Sequence, residues 1–137
     1  MKKLRFLIVG FSMLVCGAGE AFGESKVDFE ITADFFSKYI WRGQNIADDP
    51  VFQSGFSASY RGLTAAIWGN LELTSINGNS GDFSELDYCL DYSGKVPGIK
   101  GVGYSIGAGY YTFPGTAIKD TTEVYAGLSF DLPLSPS

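Results

Sequence analysis

Histidine is absent from all 137 residues. Without an imidazole the chain cannot build a Ser-His-Asp or Cys-His machine, nor the usual His-based zinc site. Cysteine is almost absent: only Cys16 and Cys89 occur. Cys16 falls in a segment expected to be removed on export, so the mature chain has no internal disulfide to form. Basic residues are scarce, 10 against 15 acids. Three of those bases and one of the acids fall in residues 1–23, leaving seven against fourteen, a net charge of −7, in the remainder. No basic patch survives, which disfavours nucleic-acid binding. After residue 23 there is also no apolar run of the length a transmembrane helix needs, about 20 residues.

What the chain has begins with a leader. Lys2, Lys3 and Arg5 form a basic start, residues 6–15 a short apolar stretch, and Ala21-Phe22-Gly23 places small residues at the two cleavage positions. This is the pattern of a secretory signal peptide over residues 1–23. Met13-Leu14-Val15 lacks the small residue that precedes a lipid-modified cysteine, which argues against lipidation at Cys16. The expected organisation is therefore a signal peptide, 1–23, and one β-domain, 24–137.

The dominant signal in that domain is strict alternation. In residues 27–43, Val27, Phe29, Ile31, Ala33 and Phe35 share one parity, and Asp28, Glu30, Thr32 and Asp34 the other. That is a strand with one apolar and one polar face. A helix would scatter the same residues and leave no apolar stripe. Tyr39 and Trp41 at its end are expected to meet a membrane–water boundary, with Arg42 just beyond. Five further segments repeat the pattern, at 51–60, 63–74, 83–93, 101–113 and 121–132. Residues 83–93 alternate most cleanly, Leu86, Tyr88, Leu90 and Tyr92 against Glu85, Asp87, Cys89 and Asp91.

Between the strands lie expected loops at 43–50, 75–82, 94–100 and 114–120, a two-residue turn at Arg61-Gly62, and a final turn at 133–137. The connections after the first, third and fifth segments are longer and polar. Six alternating segments with no helix read as an antiparallel up-and-down transmembrane β-barrel, with long outer loops and short periplasmic turns. The rival is a long edge strand of a soluble sandwich. The glycines at 101, 103 and 107 miss the G-x-G-x-x-G spacing by one residue, and no helix follows. They are expected to make room on the inner face. The Asn/Asp-rich loop at 75–82 does not match an EF-hand.

At Ser37-Lys38-Tyr39-Ile40-Trp41-Arg42-Gly43, followed by Pro50 and Gln53, the chain resembles the opening motif of the TorF porin family, also named the Gcw-chp family. Trp68-Gly69-Asn70, Glu85-Leu86-Asp87-Tyr88, Tyr111-Thr112-Phe113-Pro114-Gly115 and Glu123-Val124-Tyr125-Ala126-Gly127 are similar to later family motifs. The resemblance implies an outer-membrane barrel and a channel, with no catalytic residues and no cofactor. Family members are longer, which implies that this chain is the N-terminal portion of such a barrel.

With the polar parity inward, the expected lumen-lining residues are Asp28, Glu30, Asp34, Glu72, Glu85, Asp87, Asp91, Glu123 and Asp131, opposed by Lys38, Arg42 and Arg61. One reading is an acidic lumen that favours cations. The other is a narrow, plugged barrel in which these groups pair or are solvated. Arg42 has a second reading as a membrane-edge anchor, and Trp68 is expected to be an inner packing residue. Cys89, between acids, has no activated thiolate. No enzyme activity, cofactor or metal is expected. The expected partners are outer-membrane lipid and small polar solutes or cations, with an oligomer possible. Two functions compete: passive transport of such solutes, and a non-transporting structural or ligand-binding barrel. A periplasmic cup, one form of the second, would point its apolar residues inward.

Overall fold

A computed structural model describes residues 5–8 (backbone only), 26–76, 78 and 80–131. The rest of the expected signal peptide, Leu132 and the expected turn at 133–137 lie outside the described residues. The described chain is all β. Its strands are β1 (Arg5–Ile8), β2 (Asp28–Phe36), β3 (Tyr39–Trp41), β4 (Gln44–Ala47), β5 (Val51–Tyr60), β6 (Leu63–Glu72), β7 (Phe83–Lys95), β8 (Val102–Thr112) and β9 (Thr121–Asp131).

The main sheet has the order β1-β9-β8-β7-β6-β5-β2, every pair antiparallel. From β5 to β9 each strand pairs with its sequence neighbour, as a meander requires. The six expected segments correspond to β2 and β5–β9. The sheet is not closed: β2 stands at one edge and the short β1, which lies within the expected signal peptide, at the other.

The expected strand at 27–43 is not continuous. It stops at Phe36, where two apolar residues in succession, Phe35-Phe36, break the alternation. The chain bends at Ser37 and Lys38 and then forms a separate two-stranded hairpin, β3-β4. Half of the expected loop at 43–50 is thus strand. The hairpin turn is Arg42-Gly43, with φ of 47° and 77°, and the β5-β6 turn is Arg61-Gly62, with φ of 49° and 88°. Both central residues have positive φ, the signature of the I′ turn whose twist matches that of antiparallel strands. Each turn follows an aromatic residue, and the guanidinium lies over that ring, 4.6 Å from the Trp41 centroid and 5.1 Å from that of Tyr60.

Register fixes the faces, because directly opposed residues lie on one side of a sheet. One row runs Phe29–Ala58–Ala65–Leu90–Ala108–Val124, and the next Ile31–Phe56–Ile67–Tyr88–Tyr110–Thr122. Ring pairs tie this apolar face together, Phe35–Phe52 at 4.8 Å, Phe29–Phe56 at 6.0 Å, Tyr92–Tyr104 at 6.2 Å and Tyr88–Tyr110 at 6.4 Å. Rings in such geometry contribute roughly 0.5–1.5 kcal/mol each beyond their area. Yet this apolar face is the exposed one. Ile31 is 77 % accessible, Leu90 53 % and Val124 73 %.

From β5 to β8 the polar face is the buried one, whereas on edge strand β2 both faces are exposed, Asp28, Glu30 and Asp34 included. Asn70, Asp87, Asp91, Thr64, Ser59 and Glu72 are all buried. The sheet curls around them, and its glycines make that possible. Tyr125 lies across Gly107, and Tyr111 across Gly109, where a Cβ would collide with each ring. Inner-face glycine thus provides space for tyrosine.

Candidate functional site

The polar face is built row by row. Asp34–Gln53–Asn70–Glu85 form one row, Thr32–Gly55–Trp68–Asp87–Tyr111–Thr121 the next, then Glu30–Ser57–Ala66–Cys89–Gly109–Glu123, then Asp28–Ser59–Thr64–Asp91–Gly107–Tyr125. Eight of the nine expected lumen acids fall in these rows or, for Glu72, opposite buried Val51 in β6. Asp131 continues the same parity at the end of β9 and is exposed.

Hydrogen bonds run along the rows and between them. Gln53 Nε2 donates to Asn70 Oδ1 at 3.0 Å, and Asn70 Nδ2 donates to Ser84 Oγ at 2.9 Å. Ser59 and Thr64 hydroxyls share a bond of 2.8 Å, and the Tyr111 hydroxyl donates to Glu123 Oε2 at 3.3 Å. Asn70, with no accessible surface, is held on both sides by this network, as a buried amide must be. Among the described residues two buried carboxylate oxygens have no hydrogen-bond partner, Glu72 Oε2 and Asp87 Oδ1.

The β3-β4 hairpin folds over one end of this face. The Tyr39 ring lies 5.9 Å from that of Trp68, and its hydroxyl donates to the Glu85 carboxylate. Burial, with the charges of Glu85 and Asp87 beside it, holds the Tyr39 phenol well above its ordinary range, so it remains a donor. Tyr39 and Trp41 are therefore not in an outer aromatic belt, as the sequence suggests. They turn to the concave side and, with Glu85, Asp87, Tyr111 and Phe113, enclose a cavity of about 150 Å³. Trp68 is the inner packing residue expected of it.

The expected bases stand apart from the acidic rows. Lys38 Nζ pairs with Asp48 across the foot of the hairpin. Arg42 and Arg61 lie at the two turns, over their aromatic neighbours. Arg42 is exposed at its turn. Lys95, beyond the expected end of its strand, adds one exposed base of inner parity opposite Gly103.

The other motif residues brace the hairpin. Ser37 lies in the bend before it. The carbonyl of Pro50 accepts from Leu73 N at 3.2 Å, and Thr74 Oγ1 donates to Asp49 Oδ2. Asp49 and Ala47 are buried there, although residues 43–50 read as a polar loop, and Val51, the first residue of β5, is buried as well. The signal for the hairpin was present but unused: Trp41-Arg42-Gly43 repeats Tyr60-Arg61-Gly62.

A family model described as a bacterial protein of unknown function, Gcw_chp, matches residues 20–133. The chain belongs to the Gcw_chp family. No curated protein and no solved structure matches it. The Gcw_chp match contains all strands from β2 to β9, so both the polar face and the hairpin belong to the family region, while β1 lies before it. Membership carries no activity with it, and function has to come from the geometry.

Proposed function

We propose that this Gcw_chp protein is an outer-membrane β-barrel, exported through a cleaved signal peptide, that passes small polar solutes or cations without catalysing a reaction. One observation carries the reading: from β5 to β8 the sheet buries its polar face and exposes its apolar one. In water that arrangement is costly, because burial of apolar area is the main driving force of folding. In a bilayer it is the required one, apolar outward and polar inward along each strand. Aromatic residues toward both ends of the outward face add support: Tyr60, Tyr92 and Tyr104 near the Arg61-Gly62 end, and Phe35, Phe52 and Phe83 at the other. A periplasmic cup would carry the opposite polarity.

The hairpin favours a second reading. A segment folded across the concave face narrows whatever lumen exists, and a barrel of about eight strands is already filled by side chains. In that case the protein binds a ligand and conducts little. Washing membranes with alkaline carbonate tests the first step of both. The protein is expected to stay with the membrane and leave it only in detergent, and release by carbonate alone overturns the membrane reading. Single-channel recording of the purified protein then separates a pore from a closed barrel.

A further inference from the structure

We infer that the cavity under the β3-β4 hairpin is a binding site for a small organic ammonium ion, specifically a primary alkylammonium. The inference deepens the transport-or-binding reading above, on which it rests for the inward orientation of the polar face.

The base of the cavity is acidic. Glu85 and Asp87 both line it from β7, two residues apart and therefore on the same face. Glu85 already accepts from Tyr39. Asp87 is 2 % accessible, and its Oδ1 has no hydrogen-bond partner among the described residues. A buried carboxylate oxygen left in this way is destabilising until a donor reaches it. Lys38, Arg42 and Arg61 are all engaged elsewhere. A ligand with a positively charged N–H donor would supply that partner and favour the carboxylate form.

The walls set the rest of its chemistry. Tyr39 and Trp41 come from the hairpin, Tyr111 and Phe113 from the end of β8 and the residues after it. Four aromatic rings around two carboxylates suit a cation with an apolar body, because ring faces attract a desolvated positive charge and its alkyl groups. A bare metal ion is poorly served: among the described residues no group of three or more metal-ligating side chains converges. The volume, about 150 Å³, is that of a cavity which admits a benzene-sized molecule, so the ligand has about five or six non-hydrogen atoms. A primary ammonium keeps three N–H donors for Asp87 and Glu85, whereas a quaternary one has none to offer Oδ1.

The test uses the full chain purified in detergent, with n-butylammonium chloride as probe and tryptophan fluorescence as readout, since Trp41 and Trp68 flank the site. Saturable quenching is expected, unaffected by n-butanol or by equal KCl. Asp87→Asn is expected to weaken binding at least about tenfold, and Asp91→Asn, on the same face outside the cavity, to leave it unchanged. Should Asp87→Asn not fold, Trp41→Ala alters only the hairpin wall and is expected to weaken binding as well, read from Trp68. Absence of saturable quenching, full competition by KCl or n-butanol, or equal affinity in wild type and the folded variants overturns the inference. Binding is read in micelles, so its failure is distinct from failure of the membrane reading, which the carbonate wash decides.

Discussion

Arg61 and Arg42 are the two non-glycine residues with positive φ among the described residues, a conformation that costs an L-residue roughly 1–2 kcal/mol. The strain is tolerated because each arginine closes an I′ turn and lies over the ring before it. Gly62 carries the same constraint with less space: a Cβ there would collide with the carbonyl oxygen of Ser93, the residue whose N–H donates to Gly62 O at 2.8 Å. Gly62→Ala is therefore expected to destabilise the folded protein by about 1–3 kcal/mol, and Arg61→Asn, which accepts positive φ more readily, to leave it equal or slightly more stable. Urea titration followed by tryptophan fluorescence measures both. Side-chain parity makes a second prediction at this scale. Leu90→Arg puts a charge on the apolar face and is expected to cost about 2–4 kcal/mol in a bilayer. Ser57→Arg puts it on the polar face opposite Glu30 and is expected to cost much less. Equal loss of the folded, heat-modifiable species in both variants would contradict the assignment of faces.

The hairpin is the element that most changes how the chain is understood. Its foot is clamped by Lys38 and Asp48, and hydrogen bonds from Lys38 and then Asn45 hold the Asp48 carboxyl below its usual range. A carboxyl lowered in the folded state stabilises it above the unfolded value, about pH 3.9, and that contribution is lost as pH falls further through the folded value. The pair is exposed, so the effect is local and salt-sensitive. Trp41 emission is expected to be constant from pH 6 to 8 and to shift below about pH 4. Lys38→Met is expected to abolish the part of that shift due to the clamp. The long strands were legible in the sequence because period-2 alternation survives wherever one face differs from the other. The alternating segment 51–60 coincides with β5, and Tyr88, Leu90 and Tyr92 lie on the face opposite to Asp87 and Asp91. The hairpin was not legible. Tyr39 and Trp41 hold the same parity as Phe29 and Phe35, and parity cannot reveal that a bend at Ser37 and Lys38 carries them to the other side of the sheet. The cavity was hidden for the same reason, since Tyr39, Asp87 and Phe113 meet only through that bend.

At the scale of the molecule, the polar face gathers acids from four strands, β2, β6, β7 and β9, while β5 and β8 contribute uncharged partners. The bases expected to offset them lie at the hairpin foot and the turns. If the barrel conducts, the field of that face is expected to make it cation-selective, because low-dielectric walls limit screening. A reversal potential under a salt gradient measures this, and changing Glu85, Asp87 and Asp91 together to Gln and Asn is expected to move it toward zero. Open edges on β2 and, once the leader carrying β1 is removed, on β9 cannot stand in lipid unpaired, so within a membrane both edges are expected to meet a further strand or a second copy. The central claim is the inversion itself, apolar residues to lipid and polar residues to the lumen. Its most direct test is a spin-label scan along β7 in a Cys89→Ser background, one site at a time from residue 86 to 92, in lipid vesicles. Labels at even positions are expected to be strongly relaxed by oxygen, which concentrates in the bilayer, and labels at odd positions to be shielded from it, alternating without a break. Reversed alternation, or equal oxygen accessibility at every position, would contradict the account.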